Sequence, residues 1–197
     1  MAEAGYRRST GSARGEARKA ELLARVTADL AVNGLVDFSL RRAARAAGTT
    51  HKVLLYHFES ADDLLVQAVR ALRERRIEHG LAAAAAEPTL AGRVLLIWPA
   101  LLAEESRVLD QAIGLMMYDS QRYAELGRGA TDLYLPALLS ICPPDWPAER
   151  QHEVAQFVLA TLRGLLITRL TSDDPAALDA GLAALRRALD REEAGPT

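Results

Sequence analysis

The chain has 197 residues, half of them hydrophobic and a quarter charged, which is ordinary for a soluble protein with a sizeable core in one domain or two small ones. Its single cysteine, Cys142, excludes an internal disulfide and favours a reducing compartment. Residues 1–15 lack the apolar stretch of a secretory signal, and no apolar run reaches the roughly 18–20 residues of a spanning helix, so we expect a soluble, cytoplasmic protein.

The charge is distributed unevenly along the chain. Residues 1–60 carry ten basic and six acidic groups, whereas residues 61–197 carry fourteen basic and twenty acidic groups. A positive N-terminal segment on an acidic body suits a protein that meets phosphate groups at one end. Because an excess of four charges often arises by chance, the asymmetry is weak evidence by itself.

Alanine, leucine and arginine dominate the sequence and favour helix. Residues 1–15 are small and polar, and we predict a disordered tail there. The first helix is predicted from Glu16 to Asn33, and Gly34 is expected to stop it. Apolar residues at helical spacing supply its buried stripe: Leu22, Leu23, Val26 and Leu30.

The stretch from Ser39 to Phe58 predicts two short helices around a turn. Ser39 and Thr50 stand where each helix would begin and can cap its first turn, and Gly48 ends the first helix. The first helix has a narrow apolar face made of Leu40, Ala43, Ala44 and Ala47. These small residues allow the second helix to cross closely. The pattern is that of a helix-turn-helix, whose outward face would carry His51, Lys52, Tyr56 and His57.

The fourth helix is expected to begin at Ser60, with Asp63 in a capping-box position, and to run past Arg76. Three more helices are predicted: one opened by Pro88 and Thr89, one from about Glu104 to Tyr123, and one from about Ala130 to Ile141. The Gly127–Gly129 pair is expected to end the second of these. The run Cys142–Pro143–Pro144 is expected to break the chain.

Two helices close the chain. Pro147 fits the first turn of one, and Asp174 with Pro175 fits the start of the other. A packing seam recurs on the last helix at Leu178, Leu182, Leu185 and Leu189. Two interpretations of the seam are open: it packs inside one subunit, or the two closing helices pair with their copies in a four-helix dimer interface.

The segment from Ser39 to Leu65 resembles the DNA-binding segment of the tetracycline-repressor (TetR) family of transcriptional regulators. The resemblance lies in Ala44, the Ala47–Gly48 turn, Leu54, the Tyr56–His57–Phe58 run and Ser60. It covers about the first 70 residues; the remainder is similar only in length and helical character. It implies an all-α protein of about nine helices, with a DNA-binding head in residues 1–60 and a helical regulatory body in residues 61–197.

That resemblance implies a transcriptional regulator, in most such proteins a repressor, that binds a near-palindromic DNA operator as a homodimer and is released by a small-molecule inducer. The candidate DNA-binding residues are Ser39, Arg41, Thr50, His51, Lys52, Val53, Tyr56 and His57. Each of these is alternatively a solvated surface group, and His57 a helix cap. As an alternative to a disordered tail, residues 1–15 would form an arm that reaches DNA through Arg7, Arg8 and Arg14.

Two positions depart from the family's pattern. Leu55 stands where the family usually has tyrosine, and Ala61 stands where it usually has lysine. Both positions commonly hold phosphate donors, so their loss is expected to weaken nonspecific binding. Arg41, Arg42 and Arg45 are candidates to compensate.

The resemblance also implies an inducer pocket between the fourth and eighth helices. The candidate lining residues are Trp98, Leu102, Met116, Met117, Tyr118, Tyr134, Phe157 and Thr161. They suit an apolar ligand with one or two polar groups, although such residues are more often ordinary core. Arg163 and Arg169 would pair with an acidic ligand or with acidic neighbours. The candidate dimer-interface residues are Phe157, Leu165, Leu178, Leu182, Leu185 and Leu189.

An enzyme is not expected from this sequence. It contains no phosphate-binding glycine loop, no nucleophile elbow and no spacing typical of a metal site, so neither catalysis nor a cofactor is predicted. The rival hypothesis is a helical protein-interaction adaptor that does not bind DNA specifically.

Overall fold

The computed structural model describes residues 12–103 and 106–195, with the side chain of Arg128 excepted. Over these ranges the chain forms helices joined by turns, as the all-α prediction expected. The elements, in chain order, are α1 (Ala13–Asn33), α2 (Leu40–Ala46), α3 (His51–His57), α4 (Ala61–Ala84), α5 (Leu90–Leu102), α6 (Arg107–Tyr118), α7 (Ala124–Ile141), α8 (Ala148–Thr171) and α9 (Pro175–Ala194).

The first three helices form the predicted helix-turn-helix head. The Ser39 hydroxyl accepts from the Arg42 backbone N–H at 3.3 Å, and the Thr50 hydroxyl accepts from that of Val53 at 3.4 Å, so both short helices are capped as expected. Gly48 adopts φ +62°, a left-handed conformation that a side chain would strain. The buried side chains at the centre of the head are Leu22, Val26, Leu30, Ala43, Leu54 and Phe58.

The core of the head continues into the body. The same buried cluster includes Leu64 and Leu72 of α4, Leu109 of α6 and Leu126 of α7. A second cluster joins α5, α7, α8 and α9. The proposed domain boundary at residue 60 therefore coincides with the start of a helix, but not with a gap in the hydrophobic core.

The start of α4 is fixed by two side chains. The Ser60 hydroxyl accepts from the Asp63 backbone N–H at 3.0 Å, and the Asp63 carboxylate accepts from the Glu59 backbone N–H at 2.9 Å. The return bond thus reaches one residue further back than in the usual capping box. These bonds fix the first turn of α4, which follows the head directly.

The first helix begins earlier than predicted. α1 starts at Ala13 instead of Glu16, because the Ser12 hydroxyl caps it by accepting from the Gly15 backbone N–H at 3.2 Å. Arg14 therefore belongs to a helix and not to a tail. Arg7 and Arg8 of the hypothetical arm lie outside the described residues.

The prediction for the middle of the body was wrong in one respect. Gly127 and Gly129 lie inside α7, and α6 ends at Tyr118. The break falls instead at Asp119, whose side chain accepts from the Arg122 backbone N–H at 3.0 Å and so stabilises a turn. Gly127 serves packing: a Cβ there would lie 2.1 Å from the sulfur of Met116. Its lack of a side chain lets α6 approach α7.

The C-terminal helices follow the sequence signals closely. α7 ends before Cys142, Pro147 immediately precedes α8, and the Asp174 side chain caps α9 by accepting from the Ala176 backbone N–H at 2.9 Å. Contrary to expectation, α8 is long and apolar enough, by length and composition alone, to cross a membrane. Its inward side chains, from Val154 to Leu166, are nevertheless buried in the second cluster.

Candidate nucleic-acid interface and ligand cavity

The helix-turn-helix presents an exposed face on α3. Thr50, His51 and Lys52 are exposed, and so is Tyr56, which keeps 40% of its surface accessible and packs its ring edge-on against His57 at 5.0 Å. Val53 and His57 are half-buried at the margin of this face. Leu54 points the other way and is fully buried. The fold therefore leaves most of the predicted α3 residues free to meet a partner.

The surroundings of this face are basic. Arg41 and Arg45 are exposed on α2, next to the exposed cap Ser39. No acidic residue occurs in the sequence between Asp37 and Glu59. The face thus combines positive charge with hydroxyl and imidazole groups, a mixture suited to phosphates and base edges.

Arg42 has an internal role that the sequence did not indicate. Its guanidinium pairs with Asp29 of α1 at 2.7 Å and donates to the carbonyl oxygens of Gly34 and Val36 at 2.9 and 2.7 Å. Only 17% of its side chain is exposed. Arg42 therefore ties α1 to α2, and its internal bonds do not fit the predicted role of compensating for Leu55 and Ala61. Arg41 and Arg45 remain candidates.

Replacing Arg42 by methionine should destabilise the protein by about 2–3 kcal/mol, because the Asp29 carboxylate and two backbone carbonyls lose their donor in a partly buried site. Chemical denaturation followed by circular dichroism measures this loss. The matched change at exposed Arg45 should stay within about 0.5 kcal/mol of the wild type. Equal stability of the two variants would contradict the assigned role of Arg42.

The body contains a cavity of about 430 Å³ between α4, α5, α6, α7 and α8. Of the predicted lining residues, Met116 and Tyr134 contribute to it. The others do not line it: Trp98 is buried elsewhere in the core, Thr161 is half-buried on another face of α8, and four are substantially exposed, namely Leu102, Met117, Tyr118 and Phe157. The sequence pattern places apolar residues on helices, but it does not fix which buried face of a helix meets a neighbour and which meets a cavity.

Three arginines lie in the cavity wall: Arg73 and Arg76 of α4 and Arg163 of α8. Arg163 was considered from the sequence as a partner for an acidic ligand, but Arg73 and Arg76 were not predicted there. Arg76 donates to the Tyr134 hydroxyl and lies 5.0 Å from the centre of that ring. Arg163 donates to the Thr131 hydroxyl at 3.3 Å. The one available signal was positional, since Arg73 and Arg76 fall on the same inward stripe of α4 as Val69 and Leu72.

Burial and mutual repulsion act on these groups. Burial lowers the pKa of Arg73, and the charges of Arg76 and Arg163 lower it further, while Tyr134 opposes the effect. Burial likewise lowers the pKa of Arg163. Arg169, the other arginine considered for an acidic ligand, pairs instead with Asp110 at 3.2 Å.

The predicted dimer-interface residues divide into two groups. Leu165, Leu185 and Leu189 are buried in the subunit's own core, so their side chains are not offered to a second copy. Leu178 and Leu182 are half-buried, and Phe157 is 44% exposed. Gly181 permits the internal packing, because a Cβ there would lie 2.6 Å from a methyl carbon of Leu165.

The exposed surface of α8 and α9 is rich in small residues. Beside Phe157 it carries Ala160 and Gly164 on α8, and Ala177 and Ala184 on α9. A Cβ added at Gly164 would meet no atom within 4 Å. We name this surface, made of the five residues above, the α8–α9 face.

The fold is shared with solved structures of bacterial regulators. A TetR-family regulator from Cytophaga hutchinsonii superposes with a TM-score of 0.67 at 15% identity, over 91% of this chain and 96% of that one. A putative TetR-family regulator from a Rhodococcus species gives 0.66 at 16% identity, over 89% and 97%. The multidrug-binding protein EbrR, solved with proflavin, gives 0.62 at 16% identity, over 86% and 98%.

Sequence comparisons alone do not reach this result. No protein-family model matches the chain, and no curated protein is significantly similar to it. At identities below 25%, the structural likeness establishes the architecture of the chain. From its helix-turn-helix head to its last helix, this protein has the fold of the TetR-family transcriptional regulators.

Proposed function

We propose that this protein is a DNA-binding transcriptional regulator, most simply a cytoplasmic repressor that binds a near-palindromic operator as a homodimer. The observation that carries the proposal is the exposed, acid-free face of α3 on a firmly capped helix-turn-helix. The exposed Lys52 would donate to guanine O6 and N7, and the half-buried Val53 would offer a methyl group to thymine. Ser39, Arg41 and Tyr56 would position the head on the phosphate backbone, with His51 and Thr50 beside them.

The α8–α9 face supports the dimeric part of the proposal. Small residues let two helices approach closely, and an exposed Phe157 in their midst would be buried by a second copy. A two-fold pair would carry two α3 helices to successive major grooves, about one helical turn, ~34 Å, apart. The operator would then mirror that symmetry.

The cavity supports a response to a small molecule. One of the similar structures is a multidrug-binding protein with proflavin bound. In the present chain α6 connects the cavity to the head: Leu109, Ile113 and Met116 line the cavity, while Gln111 on the same helix accepts from the Leu35 backbone N–H at 2.7 Å. A ligand that shifts α6 would therefore disturb the attachment of the head.

A second contact joins the turn after the C-terminal end of α6 to the start of α4. Arg122, in the turn after α6, pairs with Asp62 in the first turn of α4 at 3.2 Å. Both groups are substantially exposed, so this pair contributes little stability and can break readily. We infer a population shift in which ligand favours a body shape whose heads no longer fit both grooves. Such a shift requires different ligand affinities for the two shapes.

Replacing Gln111 by leucine should weaken the attachment of the head to the body. The Leu35 N–H would lose its acceptor in a partly buried position, at a cost of about 1–3 kcal/mol. Compared with the wild type, hydrogen exchange should then become faster in α1–α3 and stay unchanged in α8. The same change at exposed Gln121 serves as the control and should leave the exchange pattern unaltered. Unchanged exchange in the Gln111→Leu variant would exclude α6 as the connection.

The adaptor hypothesis and an enzymatic role have less support. Cys142 is buried, and burial raises the pKa of its thiol, so it is a poor nucleophile at neutral pH. The discriminating experiment is fluorescence anisotropy with the DNA upstream of the protein's own gene, titrated at several salt concentrations. A regulator should form a sequence-specific complex that weakens steeply with salt, whereas an adaptor should form none.

A further inference from the structure

The cavity wall combines an apolar surface with an unusual concentration of positive charge. Its lining is largely aliphatic, with Ile77, Leu81 and Ile97 on one side and Leu162 and Leu166 on another. Into this surface project the guanidinium groups of Arg73, Arg76 and Arg163. Arginine stays protonated inside proteins, so the cavity carries three positive charges at any physiological pH.

No carboxylate neutralises these three groups within the described part of the chain. Their hydrogen bonds there go to neutral oxygens, those of Tyr134 and Thr131. Asp110 is near enough for the charge of Arg76 to act on its pKa, but its carboxylate pairs with Arg169. Burial raises the pKa of Asp110, while the charges of Arg169 and Arg76 oppose that rise.

Arg76 is the sharpest indication of a missing partner. Only 7% of its surface is exposed, and its Nε and Nη1 atoms are buried without a hydrogen-bond partner among the described residues. A buried charge with unsatisfied donors is costly, so its presence in the cavity wall calls for an explanation, and a bound anion supplies one. The free Nε–H and Nη1–H donors lie on different edges of the guanidinium group, so a carboxylate oxygen can accept from either of them.

We propose that this cavity binds an amphiphilic organic anion. Its carboxylate would accept from Arg76, with Arg73, Arg163 and the Tyr134 hydroxyl close by, and its apolar body would lie along Ile77 and Leu166. The proposal rests on the proposed function in that this anion would be the effector of the regulator. A saturated fatty acid and an aryl carboxylic acid share this chemistry and differ only in the shape of the apolar body.

Isothermal titration calorimetry with the full-length protein, without DNA, tests the proposal. The probes are laurate, the neutral alcohol dodecanol and the cation dodecyltrimethylammonium, all below their micellar concentrations; naphthoate represents the aryl acids. Laurate or naphthoate should bind at least tenfold more tightly than dodecanol, and the cation should bind more weakly still. The tighter of the two acids identifies the source. Binding of dodecanol or of the cation as tight as that of both acids would overturn the proposal.

Variants then assign the effect to the arginines. Arg76→Met should weaken binding of the preferred acid at least tenfold and leave dodecanol unchanged, whereas Arg70→Met, at an exposed position of the same helix, should alter neither. Without ligand, Arg76→Met should melt at the same temperature as the wild type or higher. If it fails to fold, Arg163→Met, at a half-buried position, should show the same loss of preference. An unchanged preference in the folded variants would overturn the proposal.

The outcome is separable from the proposed function. Specific operator binding without any preference for anions would support the proposed regulatory function and contradict the proposed anion site. A clear anion preference without specific DNA binding would do the opposite.

Discussion

Replacing Lys52 and Tyr56 together by alanine should abolish sequence-specific DNA binding while the protein remains folded and dimeric. Both side chains are exposed on α3, and within residues 12–103 and 106–195 the ring of Tyr56 contacts that of its neighbour His57. Each good base contact contributes about 1–3 kcal/mol of discrimination, and a dimer would lose both residues in each half-site. Specific binding should therefore fall roughly a thousandfold, to the nonspecific level. Fluorescence anisotropy with a selected operator measures the fall.

The matched control for this experiment lies on α6. Arg107→Ala combined with Tyr118→Ala removes one exposed cation and one exposed tyrosine, as the α3 variant does, but from α6 and not from the helix-turn-helix. Operator affinity of the control should match the wild type. If both double variants bind alike, α3 is not the recognition helix.

Replacing Gly164 by arginine should convert the protein to a monomer. The position is exposed on the α8–α9 face, and an added Cβ meets nothing within 4 Å in its own subunit. A second copy at this face would have to bury the new charge without a partner, which costs several kcal/mol. Replacing glycine inside a helix should itself stabilise the monomer by about 0.5–1 kcal/mol. Analytical ultracentrifugation should find a monomer, and operator affinity should fall at least about a hundredfold, because the two half-sites are no longer bound as one unit.

Gly114 provides an equivalent control. It is an exposed glycine within α6 whose added Cβ also meets no atom within 4 Å. The Gly114→Arg variant should remain dimeric and bind the operator normally. A Gly164→Arg variant that sediments as a dimer, like this control, would place the interface elsewhere.

The head was predictable because its signals are local. Ser39, Thr50 and Ser60 are capping residues directly before their helices, and the left-handed turn needs Gly48. Hydroxyl caps and left-handed glycines act within a few residues of themselves, so the sequence order alone reveals them. The same holds for Asp174 and Pro175 at the start of α9.

The body was less predictable because its features depend on tertiary contacts. Gly127 looked like a helix break, but its role is to admit the Met116 side chain between α6 and α7. Arg42 looked like a phosphate donor, but its guanidinium donates to Asp29 and to two backbone carbonyl groups. Neither partner is a neighbour in the sequence, so no local pattern announces the contact.

Six of the eight predicted lining residues do not line the cavity, and the reason is related. Charged residues are expected at the surface, so a search for a pocket favoured aromatic residues and methionine over Arg73 and Arg76. Phe157 and Tyr118 proved to be exposed instead. The orientation of a helix about its axis decides which of its residues face a cavity, because successive side chains point about 100° apart around that axis.

Selection of bound fragments from random DNA with the purified protein tests the central claim most directly. If a homodimer presents two α3 helices to one side of the duplex, the selected sequences should share an inverted repeat whose half-site centres lie about one helical turn, or slightly more, apart. The Lys52 and Tyr56 variant should select nothing. Recovery of no common sequence, or of a single unpaired half-site, by the wild-type protein would contradict the account.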